Sequence, residues 1–431
     1  MPPSFRPILL CLTISLAASA AEFPFERKPI DYHAATANDR IAQLQKRIDA
    51  GEVVLKFDKQ HGYLPSVLDA LKISPTSQML VFSKTSLQFR RIAPWAPRAL
   101  YFNDDAYVGW VNGGNSLEVS AVDPQLGAVF YTLSQQPAKQ PRFVRDTGNC
   151  LSCHASSRTY RTPGHLARSV YPAADGQPHF SAGTFRTTHA SPLEQRWGGW
   201  FVSGTHGRMR HLGNVTADKS QPRNMDVEAG ANVTDLSELT RIQEYLTPHS
   251  DIVALLIHDH QTDTHNLITL ANHETRMALH QAAVINRALD RPEDYVSDSA
   301  RRRIDRAAEK LVEGLLLANE APLTDRVQGV SGFAQHFVAQ GRKDSRGRSL
   351  RELDLRRRLF KYPCSYLIYS DAFAALPPLV KQRTYQRLRE VLSGQDQSET
   401  FARLSPKDRR AVYEILSETL EGLPEDWKAK R

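Results

Sequence analysis

Cysteine is scarce in this chain, with 4 Cys among 431 residues. That scarcity gives weight to any pattern that uses two of them at once. Long apolar runs are missing as well. Beyond the N-terminus no stretch approaches the ~18 apolar residues needed to cross a bilayer. GxSxG, GxxxxGK[ST] and GxGxxG are all absent, and with them the signatures of a nucleophile elbow, a P-loop and a dinucleotide fingerprint. Aromatic residues make up 8% of the chain and do not interleave with basic ones, so nothing points to nucleic acid. No internal repeat or low-complexity tract occurs. What is present, 41% hydrophobic and 24% charged residues, suits an ordinary globular protein long enough for two or three domains.

The first twenty residues read as a secretory leader. Arg6 supplies the positive start, Ile8 to Ala17 a short apolar core, and Ala18-Ser19-Ala20 a small-residue cleavage pattern. Cys11 falls inside the leader, so the mature chain keeps Cys150, Cys153 and Cys364. The formal net charge of +8 loses only Arg6 with the leader. A basic surface favours an acidic partner and also aids solubility. Cys364, in Tyr362-Pro363-Cys364-Ser365-Tyr366, sits among aromatic residues and reads as a buried, inert thiol.

Two of the three thiols stand together in Cys150-Leu151-Ser152-Cys153-His154. At this composition a CxxCH arises by chance about once in a thousand chains. Two thiols at that spacing form thioether bonds to the vinyl groups of a haem, and the next residue offers an imidazole to the iron. Export reinforces this reading, because c-type haem is attached outside the cytosol. Three other uses of the motif were weighed. A redox dithiol lacks a surrounding βαβ pattern. A structural zinc lacks a second Cys or His pair. A Cys150–Cys153 disulfide would close a very short loop. The expectation is therefore one covalent haem c per chain, held by Cys150 and Cys153, with His154 as proximal iron ligand.

The fold class expected is α+β, with boundaries at 1–20 (leader), 21–139 (an N-terminal α+β region), 140–230 (a loop-rich haem c region) and 231–431 (a helical region). Periodicity predicts helices at 38–48 and 62–71, then strands at 78–83, 106–111, 117–122 and 128–133 with a turn at 123–127. A strand is expected at 197–202. Helices are expected across 251–289, 293–318, 348–360, 378–393 and 406–419.

The opposite face of the iron is open in the sequence. Met209 and Met225 are distal candidates by spacing, and His206 by its Gly-flanked loop with Trp197 and Trp200 as a wall beside it; core packing for the methionines and a hydrogen-bonded structural role for the histidine are the commoner readings. His165, His179, His189 and His211 read as structural. Arg161, Arg168 and Arg186 are able to pair with propionates. A second cluster, His258, His260, His265 and His273, lies on one predicted helix. It suggests a hydrated, partly exposed face, with a metal site or a distal ligand as the sharper alternatives.

At its pentapeptide the chain resembles c-type cytochromes and, more loosely, large exported proteins that carry a single cytochrome c domain. Only about 140–230 compares with that domain. Arg98 to Val111, Arg196 to Gly207 and Tyr362 to Ser370 are similar to stretches in a group of such proteins whose function is not assigned. The resemblance implies haem c, thioether attachment through Cys150 and Cys153, and ligation by His154. Length, an N-terminal part rich in strands and the lack of a distal Met motif set this chain apart from a small cytochrome. The functional expectation is a periplasmic mono-haem protein that transfers one electron at a time to or from a redox partner, with an acidic one suggested by the basic charge. The alternatives are a peroxidase-like haem oxidoreductase with an open distal site and a haem-based sensor module.

Overall fold

The computed structural model describes residues 23–427, and the segment read as a leader, with Cys11, lies outside them. Nine strands are found among the described residues: β1 (Met79–Val81), β2 (Arg98–Phe102), β3 (Ala106–Val111), β4 (Ser116–Asp123), β5 (Gly127–Ser134), β6 (Phe143–Arg145), β7 (Arg168–Val170), β8 (Thr184–Arg186) and β9 (Trp200–Phe201). The helices are α1 (Arg40–Asp49), α2 (Leu64–Leu71), α3 (Leu151–His154), α4 (Ile252–Ala288), α5 (Asp298–Leu315), α6 (Phe333–Ala339), α7 (Asp371–Ala374), α8 (Pro378–Leu392) and α9 (Pro406–Thr419). The architecture is α+β, with a sheet-rich N-terminal part and a helical C-terminal part.

Seven strands form one antiparallel sheet in the order β6-β5-β4-β3-β2-β1-β9. β9, which follows the CxxCH segment in the chain, adds to the sheet edge beside β1. Strand alternation sends two different sets of side chains to the two faces. Tyr101, Val108, Trp110, Leu117, Val119 and Leu133 belong to a core with Ile41 and Leu44 of α1 and Val67 and Leu68 of α2. The second face is mixed. Its register aligns Phe102, Tyr107, Ser120 and Phe130 in one row, and Leu100, Gly109, Glu118 and Thr132 in the next.

α4 lies over that second face. Asp251 caps it by accepting bonds from Val253 N and Ala254 N. Every residue from Ile252 to Thr269 is buried, His258, Asp259, His260, Asp263 and His265 included. The expected hydrated helix face is therefore absent: α4 is a central helix, closed in by the sheet and by α5, α6, α7 and α8. Its polar residues serve the irregular segment that follows the pentapeptide. Asn266 Oδ1 accepts from His165 N at 2.8 Å, and its Nδ2 donates to His165 O at 2.7 Å. Asp259 accepts from Thr187, Arg196 and Trp197. Asp263 accepts from Tyr160 and Arg186. A loop-rich segment cannot satisfy its own buried polar groups, so side chains of the helix do so.

The segment expected as a helix at 348–360 is not one. Leu353 and Phe360 form an isolated antiparallel bridge, and Leu355 adopts φ 55°. Asp354 accepts from the N–H groups of Arg356 and Arg357, which ties the chain into a tight turn instead. Among the described residues no helix is long and apolar enough to cross a membrane.

Candidate haem site

The pentapeptide forms a single helical turn. His154 N bonds Cys150 O at 3.0 Å, and Asp146 Oδ1 accepts from Cys150 N at 3.0 Å. Both thiols are free, Cys150 half-buried and Cys153 exposed. Their three-residue spacing on a helical turn puts them on the same side. Burial pushes the Cys150 thiol up to about 12, with the nearby Asp146 carboxylate adding to the effect.

His154 is held from behind. Its Nδ1 lies 3.0 Å from Gly164 O. A carbonyl only accepts, so Nδ1 carries the proton and Nε2 keeps its lone pair in the neutral ring. Burial holds the imidazole neutral by pushing its pKa down to about 4. Gly164 N returns a bond to His154 O at 2.8 Å, and Thr159 Oγ1 donates to the same carbonyl at 3.2 Å. A neutral imidazole with one nitrogen tied to a backbone carbonyl is the arrangement that orients a metal-binding histidine. Gly164 is required here, because a Cβ would strike the Asn266 amide.

A packed cluster of polar and aromatic side chains adjoins this ring. Phe130 of β5 packs 4.8 Å from the His154 ring. In the middle of the sheet, Arg98 of β2 reaches across Gly109 of β3 to Glu118 of β4 at 2.9 Å. His165 stacks 4.2 Å from Tyr107, and its Nε2 lies 3.0 Å from Ser120 Oγ. On the far side His258 is surrounded by Phe102, Tyr107 and Trp200. Trp200 Nε1 donates to Arg168 O at 2.8 Å, and the Arg168 guanidinium lies 4.9 Å over Phe180.

Arg98 Nε, His165 Nδ1, Arg168 Nε and His258 Nδ1 are buried without a hydrogen-bond partner, as are atoms elsewhere in the fold such as Arg145 Nε, Thr240 Oγ1 and His249 Nδ1. The donor set fits a haem. It offers two free thiols, an oriented neutral imidazole, apolar rings for the macrocycle and guanidinium groups for carboxylates. Among the described residues no group of three or more His, Cys, Asp or Glu is arranged to hold a bare metal ion.

The other sequence candidates are engaged elsewhere. His206 Nδ1 donates to Met209 O at 2.7 Å, and its Nε2 accepts from Asn232 N at 3.0 Å, so both ring nitrogens are used. The Met209 sulfur accepts from Thr324 N at 3.3 Å inside the main core. Met225 packs with Tyr171, Ala182 and Leu212 in a small separate cluster. Trp197 and Trp200 do not form one wall: Trp197 bonds Asp259 and touches His211, and Trp200 alone reaches His258. On α4, His260 bonds Ser365 Oγ at 2.8 Å, His265 faces the Tyr107 hydroxyl at 3.1 Å and His273 bonds Gln125 O at 3.2 Å. Arg186 is taken by Asp263 and Tyr160, and Arg161 is exposed. Cys364 is fully buried, as expected, and burial pushes its thiol up to about 12.

Sequence reasoning missed Arg98, Glu118 and Gly164 and did not separate His258 from its neighbours. A signal existed for the first two. Arg98 and Glu118 are charged residues inside strands whose remaining side chains are largely buried, and such charges mark a polar interior. No family model, curated protein or solved structure matches the chain.

Proposed function

We propose that this chain is an exported mono-haem c-type protein that passes single electrons through a haem bound to Cys150, Cys153 and His154. The observation that carries this reading is the His154 ring. It stands beside two free thiols, neutral, with Nδ1 anchored to Gly164 O and Nε2 left available. Each thiol adds its S–H across one vinyl double bond, so attachment needs no oxidant. When bound, the haem supplies an iron that cycles between ferric and ferrous states.

The protein's part is to hold, orient and screen. The Gly164 bond fixes the ring plane of His154. Phe130, Tyr107, His165 and Trp200 would supply the apolar and aromatic surroundings that screen the haem from water. Arg168 would bring a guanidinium group for a propionate carboxylate, where charge-assisted bonds are strongest. The basic net charge draws in an acidic redox partner.

A second reading is a haem oxidoreductase or sensor with an open distal face. It is favoured by one observation: His206 and Met209 spend their ligating atoms on backbone groups away from the pentapeptide. The test of the haem reading is a pyridine haemochrome spectrum of protein made with the c-type maturation machinery. The expected result is a thioether-type spectrum in the parent and a shifted, single-thioether spectrum in Cys150→Ala. Haem that extracts into acid acetone from the parent would rule out the covalent attachment.

A further inference from the structure

The carbonyl that holds His154 belongs to a peptide group bonded on both sides. Gly164 O lies 3.0 Å from His154 Nδ1. The nitrogen of the same peptide bond, His165 N, donates to Asn266 Oδ1 at 2.8 Å. Asn266 Nδ2 donates in turn to His165 O at 2.7 Å. Asn266 is 1% exposed, so one sealed side-chain amide of α4 grips the backbone directly behind the His154 ring.

The rest of this segment is fixed as well. Pro163 O accepts from Ala128 N of β5 at 3.0 Å, and Gly164 N donates to His154 O at 2.8 Å. The Gly164–His165 peptide plane therefore cannot turn without breaking its bonds to α4 and to His154. Gly164 lets the amide come this close, because a Cβ there would strike Asn266 Oδ1.

Hydrogen bonds in a chain polarise one another. A peptide N–H that donates to an amide oxygen makes its own carbonyl oxygen a better acceptor. A better acceptor at Gly164 O pulls harder on the Nδ1 proton of His154 and leaves Nε2 richer in electrons. An electron-rich ligand favours the ferric over the ferrous state of an iron it binds.

We propose that Asn266 is a positioning residue for His154: through the Gly164–His165 peptide it fixes the imidazole plane and lowers the reduction potential of the haem. The helical part of the chain thereby sets a property of a cofactor attached in the loop-rich part. The inference rests on the haem reading above.

The test is the reduction potential of the haem-loaded protein, read by spectroelectrochemical titration. Asn266→Leu removes both bonds at similar volume. At the parent's midpoint its ratio of oxidised to reduced protein should fall by roughly twofold to tenfold, the scale of one weakened hydrogen bond. Asn266→Asp keeps an acceptor opposite His165 N, so its potential should stay at or below the parent's. Deuterium exchange of the His154 Nδ1 proton, followed by NMR of the ferrous protein, should quicken in the leucine variant and not in the aspartate variant. If the leucine variant does not fold, Asn266→Ser, whose hydroxyl falls short of His165 N, should show the same upward shift in potential. An asparagine that only supported the fold would change unfolding stability and leave the potential in place. An unchanged potential in the leucine or serine variant, or an equal rise in the aspartate variant, would overturn the inference and leave the haem reading standing. A parent without covalent haem would overturn both.

Discussion

At the scale of single residues, environment decides roles that residue type leaves open. Fifteen histidines look alike in the sequence. What distinguishes His154 is the Gly164 carbonyl behind it. Gly164 is as much a part of the site as the histidine it orients. Gly164→Ala forces a methyl group into the Asn266 amide. The expected loss is about 1–3 kcal/mol, the usual result of overpacking, read from denaturant unfolding. Glu320 provides a pH test away from the site. Burial raises its carboxyl pKa to about 7, although it accepts a bond from Leu359 N at 2.6 Å. The folded chain therefore binds this proton at pH values where the unfolded chain has released it. Stability contributed by this group is full below about pH 4.5 and is lost as the pH rises through 7. Glu320→Gln should leave stability unchanged at pH 4 and raise it at pH 8, by up to about 3 kcal/mol. An equal effect at both pH values would contradict the assignment.

At the scale of elements, the sheet and the helices differed in how plainly they could be read. β3, β4 and β5 were legible because apolar and polar residues alternate on either side of a turn at Asp123–Gly127. α1, α5, α8 and α9 were legible from apolar spacing. β2 was not read as a strand, because Arg98-Ala-Leu-Tyr-Phe is short and its charge faces inward across Gly109. The run at 348–360 looked helical, but a turn centred on Asp354 wins there. α4 was placed almost to the residue and its surroundings were misjudged. A helix with His, Asp, Gln, Thr and Asn in sequence suggests contact with water, and here those groups hold loops instead. Asn266 shows how much rests on them. Asn266→Ala leaves the N–H and C=O of His165 unsatisfied in the interior, at about 1–3 kcal/mol for each group. The loop from His154 to His165 should then lose protection in amide hydrogen exchange before the sheet does. Uniform loss across the sheet would argue that the loop and sheet open together.

At the scale of the whole molecule, the pentapeptide gained a setting the sequence did not foretell. The segment after it is neither a free-standing cytochrome domain nor an appendage: its strand β9 completes the sheet, and its loops are hydrogen-bonded to α4. The proposed cofactor attachment rests on five residues, because the chemistry of CxxCH is local. The neighbouring cluster was not legible, since Arg98, Glu118, His165 and His258 come together from four separate stretches of chain. Net charge belongs to this scale too. With a formal +8, electron exchange with small reagents should be steered by sign. The second-order rate of reaction with ferricyanide should fall as salt is raised from about 10 to 150 mM, and that with hexaammineruthenium should rise, as screening shortens the range of the field. Identical salt dependence for the two reagents would show that the electron-exchange surface of the proposed haem protein carries no net positive field.

The central claim is covalent haem on Cys150 and Cys153 with His154 beneath it. Its most direct test is the intact mass of the exported protein matured in cells that attach c-type haem. The account predicts the mass of the chain plus one haem, with the haem retained under denaturing conditions and confined to the peptide that contains Cys150 to His154. It further predicts that the haem is lost when both cysteines are changed to alanine. A mass equal to the bare chain, or a haem that survives the double substitution, would contradict it.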